Sequence, residues 1–136
     1  SLPSLAFLIL RDNKLKPSSM SSVTAFASNV MHLDVRDNRL TDLGDVYALM
    51  SQLKRLKHLF FGGNVIRGCA RGPSAATNLK NLKVVDLHSS SLQDIWSQSV
   101  CLNLFDNLGH VLGLNLSFNA LQSLPRGVFD GLASVV

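Results

Sequence analysis

The chain is poor in several residue types that mark other classes of protein. Its 136 residues contain no glutamate, a single tryptophan, a single tyrosine and two cysteines. With 46% hydrophobic and only 16% charged residues, the composition excludes a disordered chain and favours a packed core. The longest apolar run is LAFLIL at 5–10, far short of the roughly 20 residues that a membrane-spanning helix needs.

Charge is unevenly distributed along the chain. Residues 1–83 hold 12 of the 13 lysines and arginines and five aspartates, for a net charge of +7. Residues 84–136 hold one arginine and four aspartates, for a net charge of −3. A basic half favours anionic partners. A solvated surface without a partner is an equally acceptable interpretation.

One motif recurs five times. Its last copy, LNLSFNAL at 114–121, follows the pattern L-x-L-x-x-N-x-L, and the other copies are LILRDNKL, LDVRDNRL, LFFGGNVI and VDLHSSSL. The asparagine position falls at residues 13, 38, 64, 90 and 119, with spacings of 25, 26, 26 and 29 residues. Self-similarity at this period predicts a leucine-rich repeat solenoid. This is an α/β horseshoe with a parallel sheet of short strands on its concave face and an irregular or helical convex side.

The repeats fill the chain, at about 5–29, 30–55, 56–81, 82–110 and 111–134. Solenoids end in polar capping units, and neither end of this chain resembles one. We therefore expect one uncapped segment, 1–136, of a longer protein.

Each L-x-L segment alternates in polarity, which predicts a short strand with its leucines in the core and its other residues on the concave wall. The asparagine follows where the chain turns away from the sheet. Its amide carries both a donor and an acceptor, so it can satisfy backbone groups of that turn. The predicted asparagine ladder consists of Asn13, Asn38, Asn64 and Asn119. Ser90 departs from it, and we expect the fourth repeat to be looser there.

The path back along the convex side differs between repeats. Helical spacing in the second repeat is shown by Val46, Leu49, Met50 and Leu53. Two glycines and a proline in RGCARGPSAATN, at 67–78, predict an irregular loop in the third. The expected core of the last repeat is Leu121, Leu124, Phe129 and Leu132.

The two cysteines stand at different phases of the repeat. Cys69 lies five residues past Asn64, and Cys101 lies eleven past Ser90. An even number permits one disulfide in an extracellular chain. Because the phases differ, we expect two unpaired, mostly buried thiols. Without CxxC spacing, a zinc site built on cysteine is not expected either.

The repeat register identifies the residues of the concave wall. Arg11 and Arg36 fall on neighbouring strands, where like charges repel unless something anionic lies between them. Asp12 and Asp37 sit beside them, so a salt-bridge ladder is one interpretation. A phosphate or acidic group of a ligand is the other.

Three histidines, His32, His58 and His88, fall on the same wall. Histidine changes charge near endosomal pH. Protonated, the three would join the arginines in a basic strip able to hold nucleic-acid phosphates, with salt-dependent affinity. Exposed bases could stack on Phe60 and Phe118. The alternative is three ordinary surface histidines.

Asn115-Leu116-Ser117 is an N-glycosylation sequon. A glycan on Asn115 would project from the concave wall and block part of it. The residues LNLS also follow the repeat consensus, so a bare asparagine is the alternative.

No catalytic site is expected. His88, Asp86 and Ser89 lie near one another, but a flat sheet wall offers neither a pocket nor oxyanion donors. The one conceivable zinc site would use His32, His58 and Asp34. We predict no metal and no other cofactor.

The stretch LNLSFNALQSLPRGVFDGL at 114–132 resembles a repeat of the Toll-like receptor ectodomains, and the resemblance extends over all five repeats. The variable lymphocyte receptors of jawless fish have a sequence pattern similar to LQSLPRGVFDGL. Their repeats keep a nearly constant length, whereas the spacing here is irregular.

The resemblance implies a horseshoe ectodomain on the extracellular or endosomal side of a single-pass membrane protein. It also implies recognition of microbial molecules in innate immunity by receptor homo- or heterodimers, with the membrane anchor outside this segment. The basic half, histidines and aromatics favour RNA or DNA as the ligand. The candidate ligand-binding residues are Arg11, Arg36, His32, His58, Phe60 and His88. The alternative is an extracellular protein-interaction module, such as a variable lymphocyte receptor or a matrix leucine-rich protein.

Overall fold

The computed structural model describes residues 1–42, 44, 51–69, 80–106 and 108–132. Within them, five three-residue strands form one parallel sheet whose spatial order follows the chain. The strands are β1 Phe7–Ile9, β2 His32–Asp34, β3 His58–Phe60, β4 Val84–Asp86 and β5 Gly113–Asn115. The fold is a leucine-rich repeat solenoid, as the motif predicted.

The connections between strands contain short helices. A 3₁₀ turn, Pro17–Met20, leads directly into α1, Ser21–Phe26, and a second helix, α2, spans Leu92–Ser97. Helix α2 buries Leu92, Ile95 and Trp96, whose three- and four-residue spacing places them on one face. None of the described helices is long and apolar enough to cross a membrane. The helical spacing predicted in the second repeat and the loop predicted at 67–78 fall mostly outside the described residues.

The leucine positions of the motif stack into rows that form the core. In the middle three repeats these residues are at most 2% exposed: Leu33, Val35, Leu40, Leu59, Phe61, Ile66, Val85, Leu87 and Leu92. Farther from the sheet, the ring of Phe105 stacks on Phe129 at 5.7 Å and meets Trp96 edge-on at 6.2 Å. The prediction of Leu124 as a core residue was wrong, because Leu124 is 58% exposed and Val128 is buried in the last repeat instead.

The asparagine ladder is present, and Asn64 shows how it works. This residue is fully buried. Its Oδ1 accepts the backbone N–H groups of Asn38 at 3.1 Å and Leu40 at 3.0 Å, both in the preceding repeat. Its Nδ2 donates to the carbonyls of Val35 at 3.0 Å and Phe61 at 2.6 Å. One amide therefore satisfies backbone groups in two successive turns and ties the two repeats together.

Ser90 performs only part of this work. Its hydroxyl donates to the carbonyl of His88 at 3.1 Å, which lies in its own turn. The amide of Ile66 in the preceding repeat donates to the backbone oxygen of Ser90 at 3.2 Å, because the hydroxyl is too short to reach it. The side-chain link between the third and fourth repeats is thus missing at this position, as expected for serine.

The residue before each ladder position adopts a left-handed backbone conformation. The φ angles lie between 49° and 76° at Asp12, Asp37, Gly63, Ser89 and Phe118. Glycine and aspartate are common in this region, but a bulky side chain is an outlier there. Phe118 is therefore strained, and it is also 86% exposed, so burial does not offset the strain.

The two cysteines form a disulfide, so the prediction of unpaired thiols was wrong. Their Cα atoms lie 5.5 Å apart, across a sequence separation of 32 residues. The position of a cysteine within its repeat does not predict its neighbours here, because the connections of neighbouring repeats differ in length. Two residues that follow their strands by different numbers of positions can therefore be neighbours in space.

Replacing Asn64 with alanine should lower the free energy of unfolding by about 2–4 kcal/mol, because buried N–H and C=O groups lose their partners. Replacing Asn13 should cost less than about 1 kcal/mol, because its bonds to Leu10 and Arg11 are exposed and water can replace them. Urea denaturation of both variants measures the difference. Equal losses would contradict the cross-repeat role of the buried amide.

Replacing Phe118 with asparagine should raise the free energy of unfolding by about 1 kcal/mol, because asparagine tolerates the left-handed conformation. Phe118→Ala is the matched control, since it removes the ring but keeps a side chain that disfavours this conformation. A loss of stability in Phe118→Asn would show that the ring makes a stabilising contact.

Candidate ligand-binding surface on the concave wall

Two columns of side chains line the concave wall, one on each side of the strand centres. The first column, in register across the sheet, is Phe7, His32, His58, Val84 and Gly113. The second is Ile9, Asp34, Phe60, Asp86 and Asn115. They are the residues that flank the central leucine of each strand, which the alternation of the repeat predicted to face the wall.

Aromatic rings from three strands meet on this wall. The ring of His32 lies 5.4 Å from Phe7, 4.9 Å from Phe60 and, edge-on, 5.6 Å from His58. The guanidinium carbon of Arg36 lies 5.2 Å from the centre of the Phe60 ring, within cation–π range. We call these five residues, Phe7, His32, His58, Phe60 and Arg36, the aromatic patch. Phe7 is 64% exposed, so the patch is open to solvent.

Within this patch, Arg36 is held by the carboxylate at the end of β2. Its Nε and terminal nitrogen donate to the two oxygens of Asp34 at 2.9 and 2.7 Å, and its backbone N–H donates to Asp34 Oδ1 at 3.1 Å. Burial alone would raise the pKa of Asp34, but the hydrogen bonds from Arg36 outweigh it and lower that pKa below its ordinary value. The same side-chain bond raises the pKa of Arg36. The pair therefore stays ionised at any physiological pH.

The expected ladder of Arg11 and Arg36 with Asp12 and Asp37 is only partly present. Arg11 Nε lies 3.5 Å from Asp37 Oδ2, and both side chains are exposed. Arg36 pairs with Asp34 instead, because Asp34 lies two residues before it on the same strand edge. In the described part of the chain, no ion pair joins Asp12 to either arginine. Both arginines have carboxylate partners, although Arg11 is only loosely held.

His88 and Asp86 repeat this arrangement two strands away. His88 Nδ1 lies 2.8 and 2.9 Å from the two oxygens of Asp86, whose Oδ1 also accepts the His88 backbone N–H at 3.0 Å. The ring lies over Gly62, where a Cβ would come within 2.0 Å of His88 Nδ1. Gly62 thus leaves the space that the imidazole occupies. No ring contact joins His88 to the aromatic patch among the residues described.

A third copy of the arrangement lies on β5. Asn115 Oδ1 accepts the Ser117 backbone N–H at 3.0 Å and the Ser117 hydroxyl at 2.5 Å. We call such a link, from the last residue of a strand to the residue two positions later, a strand-end clip. Residue-by-residue interpretation missed the clips. The sequences D-x-R, D-x-H and N-x-S recur at the same repeat position, and this recurrence could have predicted the clips.

His32 is a titratable member of the patch whose pKa is shifted by its surroundings. Its partial burial lowers its pKa below the ordinary 6.5, nearby His58 lowers it further, and Asp34 raises it by less. His32 is therefore neutral at pH 7.4 and gains its charge only under acidic conditions. No group of three or more histidine, cysteine or acidic side chains comes together as a metal site within the described ranges.

Comparison with known proteins bears on the family. No protein-family model matches the chain. Over 98% of its length it is 31% identical to Toll-like receptor 5 of Homo sapiens, and over 91% it is 32% identical to Toll-like receptor 10 of Bos taurus. Keratocan of Gallus gallus is 24% identical over 94% of the chain, which covers 41% of keratocan. The chain spans only 15% and 14% of the two receptors.

Among solved structures, an internalin from Listeria monocytogenes matches 97% of the chain with a TM-score of 0.66, at 22% identity and over 33% of the internalin chain. This likeness supports the fold alone. The chain is a leucine-rich repeat protein whose homologues are Toll-like receptors and other leucine-rich repeat proteins.

Proposed function

We propose that the chain is a ligand-recognition segment of a Toll-like pattern-recognition receptor and that its aromatic patch contacts the ligand. The receptor would act in innate immunity, with this segment extracellular or in the endosomal lumen and its membrane anchor elsewhere. Signalling would follow dimerisation of the receptor on a microbial ligand. The similarity to two Toll-like receptors over nearly the whole chain supports this proposal.

The single observation that carries the choice of surface is the cluster of rings around His32. Flat side chains in contact across three strands form a platform on which an unpaired nucleic-acid base can stack. Arg36 beside Phe60 adds a cation at the edge of the platform. Single-stranded RNA or DNA is therefore the ligand class that we put forward.

Charge on the wall makes this binding depend on pH. The carboxylates of Asp34 and Asp37 partner the two arginines at pH 7.4, which leaves little excess positive charge to attract phosphates. Because the pKa of Asp34 is lowered, acidification does not remove its negative charge. Acidification does protonate His32, and positive charge on the patch increases as pH falls. Affinity for nucleic acid should therefore rise on acidification.

Fluorescence anisotropy with a labelled single-stranded RNA of mixed sequence, at one salt concentration, tests this proposal. Binding should be about three- to tenfold tighter at pH 5.5 than at pH 7.4, because added positive charge strengthens phosphate binding. Replacing both histidines of the patch, His32 and His58, with alanine should remove most of the pH dependence, and Phe60→Ala should weaken binding at both pH values by removing a stacking ring.

The matched control is His110→Ala, which removes an exposed histidine outside the five strands and should leave both affinities unchanged. Equal affinity at the two pH values in the unmodified chain would contradict a nucleic-acid ligand. So would equal effects of the double replacement of His32 and His58 and of His110→Ala.

One observation favours a second candidate, an extracellular module that binds another protein, as in a variable lymphocyte receptor or a matrix leucine-rich protein. Phe7 and Ile9 are each 64% exposed on the concave wall, and apolar side chains of a protein partner would cover them well. An RNA that fails to bind at either pH, in a chain that remains folded, would favour this candidate.

A further inference from the structure

The strand-end clip on β5 leaves one half of the Asn115 amide unused. Its Oδ1 accepts both hydrogen bonds from Ser117. Its Nδ2 donates none within the described residues. The ladder asparagines differ, since Nδ2 of Asn119 donates to the carbonyls of Leu87 and Leu116, each at 2.9 Å. Asn115 can therefore be modified at nitrogen without loss of a hydrogen bond that holds the fold.

Space around Asn115 is also open. Both Asn115 and Ser117 are exposed, whereas Asp34 and Asp86, at the same repeat position, are 3% and 5% exposed. Those two carboxylates are covered by the larger side chains of Arg36 and His88. Gly113 has no side chain to crowd the wall beside Asn115. Of the three strand-end clips, the one at β5 is thus the clip whose side-chain amide or carboxylate is exposed to solvent.

The disulfide gives independent evidence about the compartment. Cys69 and Cys101 are bonded, and such bonds persist in secreted and extracellular chains but are rare in the cytosol. A chain that forms this bond in a eukaryotic secretory pathway also meets the machinery that modifies Asn-X-Ser sequons. The sequon at 115–117 would therefore be presented in the compartment where it is used.

We propose that Asn115 carries an N-linked oligosaccharide, an inference that rests on the extracellular location in the proposed function. The donor is a lipid-pyrophosphate-linked oligosaccharide. A bond forms between Asn115 Nδ2 and the anomeric carbon of the first sugar while the bond from that carbon to the pyrophosphate oxygen breaks. The lipid pyrophosphate leaves with the electron pair, and the amide nitrogen loses one proton. Oδ1 remains free to accept from Ser117, so the clip persists.

The glycan would define one boundary of the ligand surface. Adjacent strands lie about 4.8 Å apart, so Asn115 on β5 is roughly 10 Å from Phe60 on β3. An oligosaccharide rooted there covers the wall over β4 and β5, including Asp86 and His88. The aromatic patch on β1 to β3 stays open. Ligand would therefore approach from the β1 side of this segment.

The experiment is intact-mass measurement of the chain secreted from a eukaryotic cell line, before and after treatment with peptide N-glycosidase. The unmodified chain should exceed its polypeptide mass by an oligosaccharide that the enzyme releases. Asn115→Asp should appear at the polypeptide mass, and it should fold, because aspartate accepts the same two bonds as in the clips at Asp34 and Asp86. Ser117→Thr should keep the glycan, and Ser117→Ala should lose it.

Asn103→Asp is the matched control, since Asn103 is exposed but lies outside any sequon, and its glycan mass should equal that of the unmodified chain. A secreted, folded chain at its bare polypeptide mass would overturn the proposal. A glycan that persists in Asn115→Asp would overturn it as well. Failure of RNA binding would leave these masses unchanged, so failure of the two proposals can be told apart.

Discussion

The structure depends on hydrogen bonds between side-chain amides and backbone groups of neighbouring turns. A chain that leaves a sheet after three residues exposes N–H and C=O groups with no partner in regular secondary structure, and burying them unsatisfied is costly. The asparagine ladder solves this within the core, since Asn64 and Asn119 each accept two N–H groups from the preceding repeat. Short strands can therefore stack in register.

That regularity is what gives the concave wall its chemistry. With the strands fixed in register, side chains at equal repeat positions become neighbours although they lie some 26 residues apart. Two kinds of repeat then alternate in the first four. Repeats one and three present Ile9 and Phe60 at the strand end, and repeats two and four present the clipped aspartates Asp34 and Asp86. The wall is thus a mixture of apolar rings and internally neutralised charges rather than a continuous basic strip.

Spacing of leucines and asparagines was sufficient to predict the sheet, its order, its register and the residues on each face. These features follow from a period that every repeat obeys, so five copies reinforce one another. Features that occur in only one repeat could not be predicted from this spacing. The bond between Cys69 and Cys101 depends on the paths of two unequal connections, and the pairing of Arg36 with Asp34 rather than Asp37 depends on rotamers. The repeat pattern predicted that His32, His58 and Phe60 lie on one wall. The contacts of the His32 ring with His58 and Phe60, and the position of the His88 ring beside Asp86 and over Gly62, are visible only in the three-dimensional structure.

Hydrogen exchange at single amides tests the central claim most directly. The amides of Asn38 and Leu40 donate to the buried Oδ1 of Asn64 and lie in a turn, outside any strand. If the ladder joins the repeats, these amides should exchange as slowly as those of Leu33 and Leu59 at the strand centres. Exchange at the rate of an exposed turn, while the strand amides stay protected, would contradict the account.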